Sequence, residues 1–414
     1  MAFITHIRKL LSAAIALVVP MIAYAQWFGS STERINTLRA ISCGVWERMP
    51  IITLGTDETI RFSFDEMSHN YHRFTYTVTH CNTQWEPSDL LESEYMDGFN
   101  NQPIDDWKNS MNTTFDYTHY TLELPNDDIT FKLSGNYRLS IQEDGQEVAW
   151  FRFLISENRP NLSATVSGNT DIDTHKSHQQ LDMKVSLNGL NVTDPDREIY
   201  TVVMQNRRYD NAVINPKPTY NSGSMLTYEH CSDLIFPAGN EFRRFEIINM
   251  YDYFMNVDRI SFHDPYYHAT LIGDTRHHAY TFDNDHNGRY LIRYNQASDS
   301  DTEADYLFVH FSLASERLSG GKMYVSGHFN GGNFTSKYEM EYNSLTGRYE
   351  AVLLLKMGAY DYQYLWVPDD ETKGKTKPTE GDWYETGNEY DILLYYRQRG
   401  SRYDRLISTL EVTQ

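Results

Sequence analysis

Tyr306-Leu307-Phe308-Val309-His310-Phe311 reads as a strand with two faces, Leu307, Val309 and Phe311 on one and Tyr306, Phe308 and His310 on the other. The same alternation returns in Ile60-Arg61-Phe62-Ser63-Phe64, Phe74-Thr75-Tyr76-Thr77-Val78 and Tyr137-Arg138-Leu139-Ser140-Ile141. Gly, Asn, Asp and Pro separate such runs, and the chain carries 31 Tyr, 20 Phe and 7 Trp, residues suited to pleated, half-buried strands. The pattern predicts an all-β protein of tandem immunoglobulin-like β-sandwich domains. Helical periodicity is confined to one short candidate, Ser30 to Leu38.

Two soft stretches suggest domain limits. Ser156-Glu157-Asn158-Arg159-Pro160 follows a terminal strand, Trp150 to Ile155, and contains a turn-forming Pro. Asn295 to Ala304 is polar and acidic and precedes the Tyr306 strand. The expected segments are 1–25, 26–156, 157–300 and 301–414.

The first segment is an export signal. Arg8 and Lys9 form a positive start, Leu10 to Ile22 an apolar run, and Ala23-Tyr24-Ala25 a small-x-small cleavage site. The apolar run is shorter than the roughly 20 residues a membrane span needs. Cleavage there removes Arg8 and Lys9, taking the formal net charge from −21 to −23. An excess of acid repels nucleic acid and anionic membranes, so neither is an expected partner, and direct membrane insertion is not expected. High charge without apolar tails predicts a monomer before assembly. Cys43, Cys81 and Cys231 are an odd number for an oxidising compartment, so at most one disulfide can form, and spacing does not choose the pair. They are too far apart for a zinc site and read as small buried apolar residues.

Catalytic motifs are not found: there is no nucleophile elbow, phosphate loop, dinucleotide fingerprint or paired-His zinc motif. The expectation is a non-enzyme without cofactor or metal. Asp283-Asn284-Asp285-His286-Asn287-Gly288 matches the first half of a calcium loop, but its twelfth position is Tyr294 instead of Glu. The competing reading is a hairpin between Tyr280-Thr281-Phe282 and Tyr290-Leu291-Ile292, turning on Asn287-Gly288 with positive φ at both residues. His263, His268, His277 and His278 fit no metal-ligand spacing. Asn112, Asn161, Asn191 and Asn333 head Asn-x-Ser/Thr sequons, which carry little meaning if the source is bacterial.

Two segments carry a resemblance. The first runs through Phe64-Asp65, Tyr76-Thr77-Val78-Thr79-His80-Cys81-Asn82, Trp85-Glu86-Pro87-Ser88, Glu94-Tyr95-Met96-Asp97-Gly98-Phe99, Asn112-Thr113, Tyr117-Thr118-His119-Tyr120, Leu124-Pro125-Asn126 and Leu133-Ser134-Gly135-Asn136-Tyr137. The second runs through Gly347-Arg348-Tyr349-Glu350-Ala351, Lys356-Met357-Gly358, Tyr360-Asp361-Tyr362-Gln363-Tyr364, Tyr384-Glu385-Thr386-Gly387-Asn388-Glu389-Tyr390, Tyr396-Arg397 and Tyr403-Asp404-Arg405-Leu406. This ordered series resembles the type IX secretion system plug protein family of the Bacteroidetes. The resemblance implies a periplasmic protein at the inner side of the outer membrane. Its implied partner is the large β-barrel translocon of that system, which it closes when no substrate is passing. Most of the quoted residues are expected to serve folding, with Asn126, Gly135 and Gly358 at turns that need permissive backbone.

A second resemblance is local. Tyr324-Val325-Ser326-Gly327-His328-Phe329-Asn330 followed by Leu353 to Tyr364 is similar to the early-set sandwich used as a carbohydrate-binding module. It would make Phe329, Asn330 and Phe334 glycan-binding candidates, by sugar stacking on aromatic rings. The Trp that usually follows that turn is replaced by Gly331-Gly332, which favours the fold without the site.

Overall fold

The computed structural model describes residues 26–414, so the export signal lies outside the described residues. Strands take up 48% of the structure and helices 5%. All four quoted runs are strands, lying within Ile60–Glu66, Phe74–Cys81, Gly135–Glu143 and Tyr306–Ala314. Leu307, Val309, Phe311 and Leu313 are buried while Phe308, His310 and Ser312 are only half-buried, as the period of two demands.

The strands form three bodies. In the first, Phe28–Ser30, Gln146–Ser156, Gly135–Glu143, Phe74–Cys81 and Gln102–Pro103 pair in that order, and Ile51–Thr53 runs parallel to Gln146–Ser156. The second layer is Ile35–Ser42, Ile60–Glu66, Thr118–Leu124 and Asp106–Asn109. Phe62, Phe64, Phe74, Tyr120, Tyr137 and Phe151 fill the space between the layers.

Ser30 to Leu38 is not helical. Phe28–Ser30 and Ile35–Ser42 are both strands, and the second slips register between Asn36 and Arg39 around Thr37, whose φ is 47°. That bulge puts Ile35 and Leu38, three residues apart, on the core side. A spacing of three imitates a helix when a bulge adds one residue to a strand.

The other two bodies are interleaved. Leu162–Ser167, His178–Ser186 and Met225–Thr227 make one layer of a sandwich. Its other layer pairs Ile199–Gln205 with Glu389–Tyr396 and Arg405–Thr413, from the far end of the chain. Between these halves, strands from Arg243–Ile247 to Gly358–Pro368 build the third body, a 10-stranded arrangement with its own core around Phe245, Phe311, Tyr360 and Tyr362. The expected segments 157–300 and 301–414 are therefore not separate units: sheets cross position 300 in both directions. The C-terminal part of the acidic stretch that suggested a boundary is covered. Thr302 and Ala304 are 1% and 0% exposed, and Asp301 is paired with two arginines of the first body.

Candidate functional site: the seams between the bodies

Cross-strand register places the first seam's groups. Asp65 stands opposite His119 in the first body, and Tyr306 opposite Lys356 in the third. The two pairs meet face to face. Lys356 Nζ and the Tyr306 hydroxyl both donate to Asp65 Oδ2, at 2.6 and 2.7 Å, and His119 Nδ1 donates to Oδ1 at 2.6 Å. The side chains of Asp65 and Lys356 are 0% exposed. Burial alone would raise the Asp65 carboxyl, but Lys356 and His119 outweigh it and hold it below its ordinary range.

The network extends outward from that pair. Lys356 Nζ also donates to the Asp301 carbonyl at 2.6 Å and lies 4.0 Å from the centre of the Tyr117 ring. The Asp301 carboxylate takes Arg39 at 2.5 Å and also Arg61. Asp305 accepts the backbone N–H groups of Thr114 and Phe115 at 2.7 and 3.1 Å, and Phe115 stacks on Tyr266 with centroids 3.9 Å apart. The contacts of Asp65 with Lys356 and Tyr306, of Asp301 with Arg39 and of Asp305 with Thr114 cross the seam and hold the two bodies in one relative position.

A second seam joins the first body to the middle sandwich. Asp404 accepts from Thr83 N at 2.9 Å and is gripped by both arms of Arg397 at 2.6 and 2.9 Å. The Tyr395 hydroxyl donates to Asn136 Oδ1 at 2.7 Å, and Arg405 reaches both oxygens of Glu157 at 2.7 Å. His80 packs edge-on to Tyr403, with Nε2 3.3 Å from the Ser134 carbonyl; burial pushes its imidazole down to about 4. Trp27 spans all three bodies: its indole donates to Arg207 O at 2.9 Å, and its backbone N–H to Gly331 O at 2.9 Å.

The residues behind the main resemblance therefore touch one another from opposite ends of the chain. Asp65 and Tyr117 meet Lys356, Asn136 meets Tyr395, and His80 meets Tyr403. Strand-end and loop placement agrees for His80-Cys81-Asn82 and Trp85-Glu86-Pro87-Ser88. Gly135 has φ 138°, as expected. Asn126 acts differently, its Oδ1 accepting Asp128 N and Ile129 N. Gly358 lies in a strand, where an added Cβ would sit 2.3 Å from Leu291 O, so it is kept for close approach and not for a turn.

The remaining candidates separate. Asn287 and Gly288 have φ of 53° and 89°, as the turn reading required. No hairpin forms, because Tyr280-Thr281-Phe282 is not a strand and Tyr290–Ile292 pairs with Gly358–Pro368. Asp283 binds Arg244, and Asp285 accepts the N–H of Phe242 and Asn287. His263 and His268 approach at 5.0 Å between ring centroids, whereas His277 turns to Glu380 and His278 is exposed. The partner missed in the sequence is His310, 2.9 Å from His268, which only the pairing of two distant strands brings close.

Phe329 is 8% exposed within the third core and Asn330 is 1% exposed, held by contacts to Val325 O and Asn333 O. Phe334 is half-buried against Tyr324. Cys43, Cys81 and Cys231 are free thiols, the last two buried. Among the described residues no helix is long and apolar enough to cross a membrane.

The described residues form an all-β body whose parts are joined by charged, buried seams. A family model for the type 9 secretion system plug protein first domain matches residues 35–157, the first body. A crystal structure of a hypothetical protein from Parabacteroides merdae ATCC 43184 superposes with a TM-score of 0.92 at 42% identity, covering 94% of this chain and 100% of that one. No curated protein matches. Residues 35–157 thus carry the first domain of the type IX secretion system plug protein family. That domain connects the chain with that secretion machinery and with the cell envelope.

Proposed function

We propose that the protein is a non-enzymatic periplasmic plug that binds the outer-membrane translocon of the type IX system and closes it when no substrate is passing. The observation that carries this reading, beside the family's first domain, is the pair of polar seams. A plug must keep its shape under load, and the Asp65–Lys356 contact at 2.6 Å fixes the first body on the third. Its acidic surface, net −21 over the whole chain, suits a basic protein partner.

The test is affinity capture of the tagged protein from gently solubilised envelopes. Recovery of a very large outer-membrane barrel as the main partner is the expected result. Closure is then read in a strain lacking the protein, whose outer membrane should admit large solutes that the parent excludes. Recovery of no barrel, or unchanged permeability, would overturn the proposal.

A further inference from the structure

Where the three bodies meet they leave a recess of about 130 Å³. Its walls are apolar: Trp27, Phe28 and Trp46 from the first body, Phe242 and the Gly331-Gly332 turn from the third. The volume is close to the roughly 150 Å³ of an engineered core cavity that takes up benzene. Six arginines, Arg39, Arg48, Arg152, Arg207, Arg208 and Arg289, also line it, in a chain of net charge −21. Asp210 is the one carboxylate among the described lining residues, and it is bound to Arg208 at 2.6 Å.

Not all of this positive charge is spent. Arg39 and Arg289 are paired with Asp301 and Glu389, both at 2.5 Å. Arg207 is 8% exposed; its Nη2 pairs with Glu411 at 3.3 Å, while its Nε is buried with no hydrogen-bond partner and lies 3.9 Å from Asp391. Arg48 is exposed and makes no ion pair among the described residues. His328, also in the lining, is held neutral: burial, with Arg207 and Arg289 adding to it, pushes its imidazole down to about 3.

We propose that this recess binds a small apolar carboxylate, its ring or branched alkyl group seated between the indoles and its anionic end on Arg48 and Arg207. Guanidinium groups match the planar carboxylate, and apolar walls accept the ring or alkyl group attached to it. The acid could be a free molecule or the terminal residue of a chain; the chemistry is the same. The inference does not rest on the plug reading.

The intact protein is titrated with benzoate, benzamide and N-acetyl-phenylalaninate, following heat and melting temperature. Benzoate should bind at one site and raise the melting temperature, with benzamide about tenfold or more weaker, the loss of a charge-assisted bond. Arg48→Glu should weaken benzoate at least as much and leave the unliganded melting temperature unchanged, with Arg48→Gln between. Tighter binding of N-acetyl-phenylalaninate than of benzoate supports the site and assigns it to a chain terminus; the reverse order supports it and assigns it to a free acid. Equal binding of benzoate and benzamide, full binding by Arg48→Glu, or no binding of either carboxylate would overturn the proposal.

Discussion

The two sides of the first body are held in opposite styles. On one, the buried Asp65 carboxylate takes three donors. On the other, toward the recess, Arg207 Nε and Asp391 Oδ2 are both buried without a hydrogen bond. The Asp391 carboxyl is raised to about 7, by burial against the pull of Arg207. A carboxylate with three donors resists change because it would lose several bonds at once. An unsaturated one keeps room and potential for something else.

The largest effect that would break this contrast is expected at Lys356. Lys356→Met leaves the Asp65 charge buried without its main partner and should cost about 3–5 kcal/mol, read by chemical denaturation. Pairing it with Asp65→Asn should restore part of the loss, whereas a simple sum of two losses would show that the groups do not act together.

Next is Trp27→Ala, expected to cost about 2–3 kcal/mol through lost burial and the lost bond to Arg207 O. Its loss should appear on the recess side, as faster proteolysis between the first body and the middle sandwich. Uniform protection would contradict that placement.

Acid should distinguish the seams further. His80 takes its proton near pH 4 when folded but near 6.5 when unfolded, so the unfolded state binds it first. Its stabilising contribution is complete above pH 6.5 and is lost as pH falls toward 4. Asp391, Asp285 and Asp361, each raised to about 7 with burial the leading cause, act with the opposite sign, gaining stability as pH falls below 7. Comparing wild type with His80→Gln cancels them. The stability difference should move against wild type by about 2 kcal/mol between pH 7 and pH 5. The first seam should hold through this window, because Asp65 and Asp301 are both lowered: burial opposes this, but Lys356 and Arg39 respectively outweigh it. Their contribution is lost only below pH 3.8.

The smallest effect is Arg48→Ala, expected within about 0.5 kcal/mol of wild type, since an exposed side chain without partners supports no fold. A larger loss would mean that Arg48 belongs to the seam and not to the recess.

Alternation made the strands legible because period two survives wherever a layer has one buried face. It failed at Ser30 to Leu38, where the bulge at Thr37 disguised a strand. It also gave no warning at Asn295 to Ala304, where carboxylates look solvated until Arg39 and Arg61 are known to face them. The candidate site was legible in its pieces, since Asp65, His80, Asn136, Lys356 and Asp404 all lie in the quoted motifs. Their pairing was not, because it spans hundreds of residues and depends on which sheets the chain re-enters.

That re-entry has a consequence for how the molecule is made. Leu181, Met183 and Phe236 of the middle sandwich wait for Tyr390, Ile392 and Leu394 to complete their core. A chain emerging from its N-terminus can finish the first body and the inserted third while the middle one still presents an open apolar layer. Arg405–Thr413 closes it and at the same stroke bonds to the first body through Leu406 O and Glu157 N. The middle sandwich is thus finished only after the third body has been made, and a chain stopped before Glu389 would present an apolar layer that proteases can recognise.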